Sequence, residues 1–497
     1  MYYTSTRSDM RLQSADVITN GISKEGGLYV PESFPKLSAA DLESLAGKSY
    51  VERAKFVLSG FLTDFTESEL AYCVENAYNA TKFGSDNIAE ISHLYDGTYM
   101  LELWHGPTCA FKDMALQLLP YLLTTSAKKV ASDKEIVILV ATSGDTGKAA
   151  LEGFKDVDKT KIIVFYPEDG VSKVQKRQMT TQEGKNVCVA AIKGNFDDAQ
   201  TGVKQIFGNA EIAKALAEHN MMFSSANSIN WGRLVPQIVY YISTYCELVK
   251  NEEIQNGDVV NVVVPTGNFG NILAAYYAKK MGLPIGKLIC ASNANNVLTD
   301  FIKTGVYDKN RDFKTTISPS MDILISSNLE RLLYDMVDGD TETIKNWFAQ
   351  LAKDGKYEVN DAVKARLSEE FFGGYCDDEQ TKATIKKVFD KYSYLCDSHT
   401  AVAVKVYEDY KAQTGDDTKT IIASTASPFK FAGSVLEAVT GKKSDEDEFK
   451  QIQILGEISG MEVPKQLAEL ESKEIRFTDS VSANEMPQTV LESLGIK

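Results

Sequence analysis

Lys112 stands where a lysine is most able to do chemistry. It lies in the run His105-Gly106-Pro107-Thr108-Cys109-Ala110-Phe111-Lys112-Asp113, past a Gly-Pro break and beside an aromatic residue, where the chain turns from extended to helical spacing (Met114, Leu118, Leu122). A helix N-terminus disfavours positive charge and partial burial lowers an amine's pKa further, so such a lysine can act as a nucleophile or Schiff-base former near neutral pH. The alternative is a solvated surface lysine, the commoner fate of this residue type.

Two strand-to-helix turns could hold anions. The first, Thr142-Ser143-Gly144-Asp145-Thr146-Gly147-Lys148, offers hydroxyls and free N–H groups suited to a carboxylate or phosphate. It half-matches a nucleotide-binding P-loop, but that motif needs a glycine at Thr142 and a hydroxyl at Ala149. The second, Thr266-Gly267-Asn268-Phe269-Gly270-Asn271, has two glycines that let the backbone approach a phosphate. Both also fit plain connections with no ligand.

Two more stretches carry polar side chains. In Asn227-Ser228-Ile229-Asn230-Trp231-Gly232-Arg233 an arginine and several amides precede a long apolar helix, which suits bidentate phosphate recognition or, equally, helix capping with a surface arginine. The stretch Ser424-Thr425-Ala426-Ser427 puts hydroxyls at a strand end, able to meet a neutral ring nitrogen or to cap a turn. Together, a poised lysine, a phosphate cradle, a second anion loop, a hydroxyl cluster and no metal-ligand pattern are what a pyridoxal-phosphate enzyme requires.

The elements that must position these residues follow from the pattern. Residues 1–95 read as an α-rich unit, with a turn-rich lead and apolar positions at helical spacing over 50–58 and 67–78. From 96 onward short apolar runs, clearest at 135–140, 162–166 and 259–264, alternate with amphipathic helices, which predicts βαβ units with ligands beyond the strands' carboxyl ends. Residues 335–395 read as charged packing helices. The segment 441–497 begins with an acidic run and reads as a peripheral cap.

Composition bounds the rest. Length 497 predicts two to four domains, and 43% apolar with 25% charged residues is ordinary for a globular protein. A net charge of −16 argues against nucleic-acid or anionic-membrane partners. Seven scattered cysteines, an odd number without C-x-x-C spacing, fit reduced thiols. With no apolar N-terminal leader and no membrane-length apolar window, a cytoplasmic location is expected. The four histidines, at 93, 105, 219 and 399, form no zinc pattern and read as structural, except that His105 lies near Lys112 in sequence.

Over nearly its whole length the chain resembles long-form threonine synthases. The resemblance rests on Gly26-Gly27-Leu28-Tyr29-Val30-Pro31-Glu32, His105 to Asp113, Thr142 to Gly147, Asn227 to Trp231, Gly267 to Asn271 and Ser318-Pro319-Ser320-Met321-Asp322-Ile323 with Ser326-Ser327-Asn328. It implies a fold-type II pyridoxal-phosphate architecture: two parallel-sheet α/β lobes (96–440), an α-rich N-terminal domain (1–95) and a C-terminal segment (441–497). By the same resemblance Lys112 is the Schiff-base lysine and Gly267, Asn268, Phe269, Gly270 and Asn271 the phosphate loop. Thr425 partners the pyridine nitrogen, and Asp145 stands where much of the wider group has Asn beside the ring hydroxyl. Ser143, Gly144 and Thr146 would hold the substrate carboxylate, and Asn227, Ser228, Asn230 and Arg233 its phosphate. Many long-form members carry histidine where Ser427 stands. The implied reaction turns O-phosphohomoserine and water into L-threonine and phosphate, in a monomer or homodimer; a dehydratase, a β-replacement enzyme or a non-catalytic phosphate binder are the alternatives.

Overall fold

The apolar runs become the interior strands of two parallel sheets. The computed structural model describes residues 1–131, 134–142, 144–169 and 171–496. The larger sheet has six strands in the spatial order Phe371–Tyr375, Ile285–Ser292, Val260–Pro265, Thr420–Ser424, Thr98–Glu102 and Glu90–Tyr95, all parallel except the last pair. The smaller runs Ser480–Val481, Val187–Ile192, Thr160–Pro167, Glu135–Ala141, Met221–Ser224, parallel throughout. Every residue of Val260–Pro265 is buried, because helices cover both faces of such a sheet, and this is why the sequence reads as an unbroken apolar run.

The N-terminal unit is helical as expected over Tyr50–Phe61 and Glu67–Ala77. Each helix is opened by a reciprocal capping box, Ser49 with Glu52 and Thr66 with Glu69. The turn-rich lead forms a small antiparallel sheet of Ser8–Leu12, Tyr3–Ser5 and Tyr29–Pro31, which the sequence reading lacked. This unit is locked onto the long helix Trp231–Lys250: Trp231 packs edge-on against Tyr3 and Phe61, and the buried Arg53 guanidinium pairs with Glu247 at 2.6 Å.

Two boundaries shift. Glu90–Tyr95, expected inside the N-terminal unit, is the antiparallel edge of the six-stranded sheet. The segment after 440, expected to be peripheral, supplies strand Ser480–Val481 to the small sheet, and Met486, Val490 and Ile496 are buried in that lobe's core. Gly202 lies so close to Met486 that a Cβ there would sit 2.3 Å from its sulfur. No helix among the described residues is long and apolar enough to cross a membrane.

Candidate active site

The stretches singled out by residue type converge where strands of both sheets end: Glu102, Pro265 and Ser424 in one, Ala141 and Ser224 in the other. The approach to Lys112 is zipped onto the end of the 420–424 strand. Leu103 N–H donates to Ser424 C=O at 2.9 Å, Ser427 N–H to Cys109 C=O at 3.0 Å and Phe111 N–H to Thr425 C=O at 2.8 Å. Cys109 bends with φ +60°, a left-handed conformation costly for a residue with a side chain and held by these flanking bonds. Thr108 donates its N–H and its hydroxyl to Asp113, both at 2.8 Å. Asp113 thus closes this loop, beyond the simple first-turn acid its position suggests; burial pushes its carboxyl up to about 6.

Lys112 opens a short helix, Lys112–Leu116, with its amine largely buried. The amine donates to the Ser320 hydroxyl at 3.3 Å and lies 3.7 Å from Asp145. Burial depresses its pKa to about 8; Asp145 opposes the shift, while the like charges of Lys430 and Arg233 add to it. A buried amine held this near neutrality can be charged or free at small cost.

Asp145 is gripped on all sides: Lys430 at 2.9 Å, the Gln175 amide at 2.9 Å and the Ser320 hydroxyl at 3.4 Å. Burial alone would raise its pKa, but the two lysines hold the carboxyl well below the usual range. Lys430 is wholly buried, its amine also donating to Thr108 C=O at 2.8 Å. Sequence reasoning missed it, since a lysine in a short turn after Ser427-Pro428 looks like surface. It likewise missed Gln175 and the contact of Ser320 with Lys112.

The loop after Val260–Pro265 is shaped for close approach to a ligand. Phe269 is left-handed at φ +62°, and a Cβ at Gly267 would lie 2.8 Å from Ser320 C=O. Ser326 donates to Gly267 C=O, and the Asn328 N–H and side chain both donate to Asn268 C=O. The Asn271 side-chain carbonyl accepts from the hydroxyls of Tyr240 and Tyr241, which aims its buried NH2 away from both, and that NH2 has no partner among the described residues. Nearby, Arg233 is buried, gives one bond to Ala226 C=O at 3.0 Å, leaves its Nε unpartnered and makes no ion pair among the described residues. Burial lowers its pKa to about 10. A buried cation with no carboxylate partner is set up for an anion from outside.

Other candidates sort differently. Thr425 is buried at the strand end and its N–H donates to the Thr400 hydroxyl. Gly144 caps the helix Asp145–Phe154 at φ +150°, where a Cβ would strike Gln175 at 2.5 Å. Thr146 is half-buried on that helix; Ser143 lies outside the described residues. Asn227 is exposed, and the Ser228 hydroxyl bonds to it. Asn230, expected to bind phosphate, is corrected to a cap: its amide donates to Ile18 C=O and Ser225 C=O while its oxygen accepts from Gly232 N–H, leaving nothing for a ligand. Lys148 is tied to Glu152 and Gln182, and His105 to Glu102 at 2.7 Å while stacked on Trp104.

Pyridoxal phosphate fits these residues on their own chemistry. A depressed amine could meet its aldehyde, the 266–271 loop with the unsatisfied Asn271 NH2 its phosphate, and Thr425 its ring nitrogen. Models of three families match the chain in order: threonine synthase N terminus over 2–78, pyridoxal-phosphate dependent enzyme over 90–362, and threonine synthase C-terminal over 400–490. The threonine synthase of Saccharomyces cerevisiae is 36% identical, covering 88% of this chain and 89% of its own. The chain belongs to the threonine synthase family. The solved, pyridoxal-phosphate-bound threonine synthase of Brucella melitensis superposes with a TM-score of 0.88 at 35% identity over 99% of both chains. The yeast structure gives 0.89 at 32% identity over the same share. Human threonine synthase-like 1 is 41% identical over 90% of this chain, which spans 61% of that relative's length. The fold-type II lobes and the pyridoxal-phosphate dependence expected from the sequence therefore stand.

Proposed function

We propose that this threonine synthase family member converts O-phosphohomoserine and water to L-threonine and phosphate, with Lys112, Asp145, the 267–271 loop and Thr425 meeting the cofactor. The observation that carries the substrate assignment is Arg233. A cofactor's own phosphate is served by the 266–271 loop, so a second buried cation, close enough to lower the Lys112 pKa, calls for a second anion on the substrate.

When bound, pyridoxal phosphate supplies an electrophilic carbon for an amine and a ring that withdraws electrons from the adjacent substrate carbon. Lys112 Nζ, poised at about 8, takes the proton from the substrate Cα and returns protons to carbon later. Arg233 holds the phosphate that leaves Cγ, and Ser228 stands at the same loop. The Asp145–Phe154 helix N-terminus, with Gly144 and Thr146, holds the substrate carboxylate. A Cβ proton is removed as the Cγ–O bond breaks and phosphate departs with that bond's electron pair; Cγ then gains a proton, water adds its oxygen at Cβ, and a proton returns to Cα, which leaves threonine and inorganic phosphate. Asp145, kept ionised by Lys430 and Lys112, would accept a hydrogen bond from the cofactor's ring hydroxyl.

The test is product analysis of the purified full chain with O-phosphohomoserine. Stoichiometric threonine and phosphate support the reading; ammonia and a keto acid instead would assign a dehydratase-type outcome. Lys112→Ala is expected to abolish both turnover and the lysine-bound cofactor absorbance.

A further inference from the structure

The helix Ser398–Thr414 begins behind the site, and its cap, Asp397, is completely buried. Asp397 faces two ways. One oxygen accepts from His399 Nδ1 at 2.6 Å and from His399 N–H at 2.9 Å. The other accepts from Thr400 N–H at 3.1 Å and from the Thr400 hydroxyl. A helix cap needs only the N–H bonds, so the two side-chain bonds are additional.

Each of these side chains leads to a different wall of the site. His399 Nε2 accepts the N–H of Ser320 at 3.1 Å, which places the ring proton on Nδ1, toward Asp397. Ser320 is the residue whose hydroxyl meets Lys112 at 3.3 Å and Asp145 at 3.4 Å. The Thr400 hydroxyl receives the Thr425 N–H at 3.3 Å and lies 3.3 Å from the Ser424 hydroxyl, itself bonded by Trp104 Nε1. The histidine reads as structural in the sequence because Ser320, the partner that ties it to the site, lies 79 residues away.

We infer that Asp397 is a positioning residue that sets two walls of the site in register, holding Ser320 against Lys112 through His399 and Thr425 in place through Thr400. The Ser320 arm stands on geometry alone; the Thr425 arm rests on the reading that Thr425 meets the cofactor ring. Asparagine cannot replace this carboxylate. Whichever way its amide turns, the NH2 faces a donor: toward His399 it meets Nδ1–H, or moves that proton to Nε2 against Ser320 N–H; toward Thr400 it meets the backbone N–H.

The experiment uses the full chain with and without pyridoxal phosphate, in wild type, Asp397→Asn, His399→Phe and Thr400→Val. Without cofactor, the pH midpoint of Lys112 acylation is read by peptide mapping; with it, the visible absorbance maximum. Around Lys112 the charged groups are Asp145, Lys430 and Arg233; around His399 they are Asp397 and Asp322. Loss of one hydrogen bond that favours the charged amine is expected to lower the Lys112 midpoint by about half to one unit in His399→Phe. Thr400→Val is expected to leave that midpoint unchanged and to shift the absorbance maximum, and Asp397→Asn to do both. The inference is overturned if folded Asp397→Asn changes neither, or if each single-arm variant changes both readouts equally. Should Asp397→Asn not fold, the two single-arm variants decide by the same criterion. Should borohydride trap no cofactor on Lys112 in wild type, the functional reading falls, while the acylation midpoints still decide the Ser320 arm.

Discussion

Replacing Lys430 with methionine isolates the pair on which the Lys112 environment depends. The Lys430–Asp145 contact is 2.9 Å long between side chains that are 0% and 4% exposed. Removing one partner of such a pair strands a buried charge, at a typical cost of about 3–5 kcal/mol. Gln175 and the Lys112 amine at 3.7 Å remain to share Asp145, which places the expectation near the lower end of that range. Asp145 is depressed in the folded state, so its contribution is fully present above the unfolded carboxylate value of about 4 and is lost as pH falls through the lower, folded value. Denaturant unfolding at pH 7 therefore reads the full effect. Asp145→Asn strands Lys430 instead and is expected to cost a similar amount. The double variant strands neither and should lose much less than the sum of the two. Loss of the nearby like charge should also raise the Lys112 acylation midpoint above about 8. Additive losses in the double variant, or a midpoint that falls in Lys430→Met, would refute the argument.

Three further outcomes are expected. Lys112→Met should stabilise the cofactor-free chain at pH 7 by up to about 3 kcal/mol, because a protonated amine is held where burial disfavours it; the gain should shrink as pH rises from 8 toward 10.5, read by unfolding across that range. Arg233→Met should leave cofactor-free stability unchanged or slightly raised, since the guanidinium lacks an acidic partner, yet raise KM for the phosphate ester about 10- to 100-fold with the loss of charge-assisted bonds. Asn230→Ala should cost about 1–2 kcal/mol in unfolding with KM unchanged; a KM rise matching that of Arg233→Met would return Asn230 to the substrate.

The parts of the site legible in the sequence are those written locally. Lys112, the 266–271 loop and Thr425 each follow an extended run and carry their own turn chemistry, so their position at strand ends could be read without knowing the sheet order. Lys430, Ser320 and His399 gain their meaning from residues far along the chain: Lys430 meets Asp145 only after the two lobes close, and nothing in Pro428-Phe429-Lys430-Phe431 distinguishes a buried amine from a solvated one. Asn230 is misread, and the role of Lys148 stays open in the sequence, for the same reason in reverse. A capping amide and a ligand-binding amide have one signature before Ile18 is brought to it, as do a free lysine and one already bound to Glu152. The strand Glu90–Tyr95 escaped because it is a polar, half-exposed edge.

The order in which strands occur along the chain constrains how this protein can be made. Strand Thr420–Ser424 fills the middle of the six-stranded sheet between strands that precede it by far, and Ser480–Val481 closes the edge of a small sheet otherwise finished at Ser224. A ribosome adding about 5–20 residues per second exposes Lys112 tens of seconds before either late strand exists. Through that interval both sheets present open, apolar edges of the kind that pair with foreign strands. Nascent chains are thus vulnerable to misassembly while the lysine is present but the pocket is not, and a cofactor that meets Lys112 as proposed would be captured only on release or near-completion of the chain.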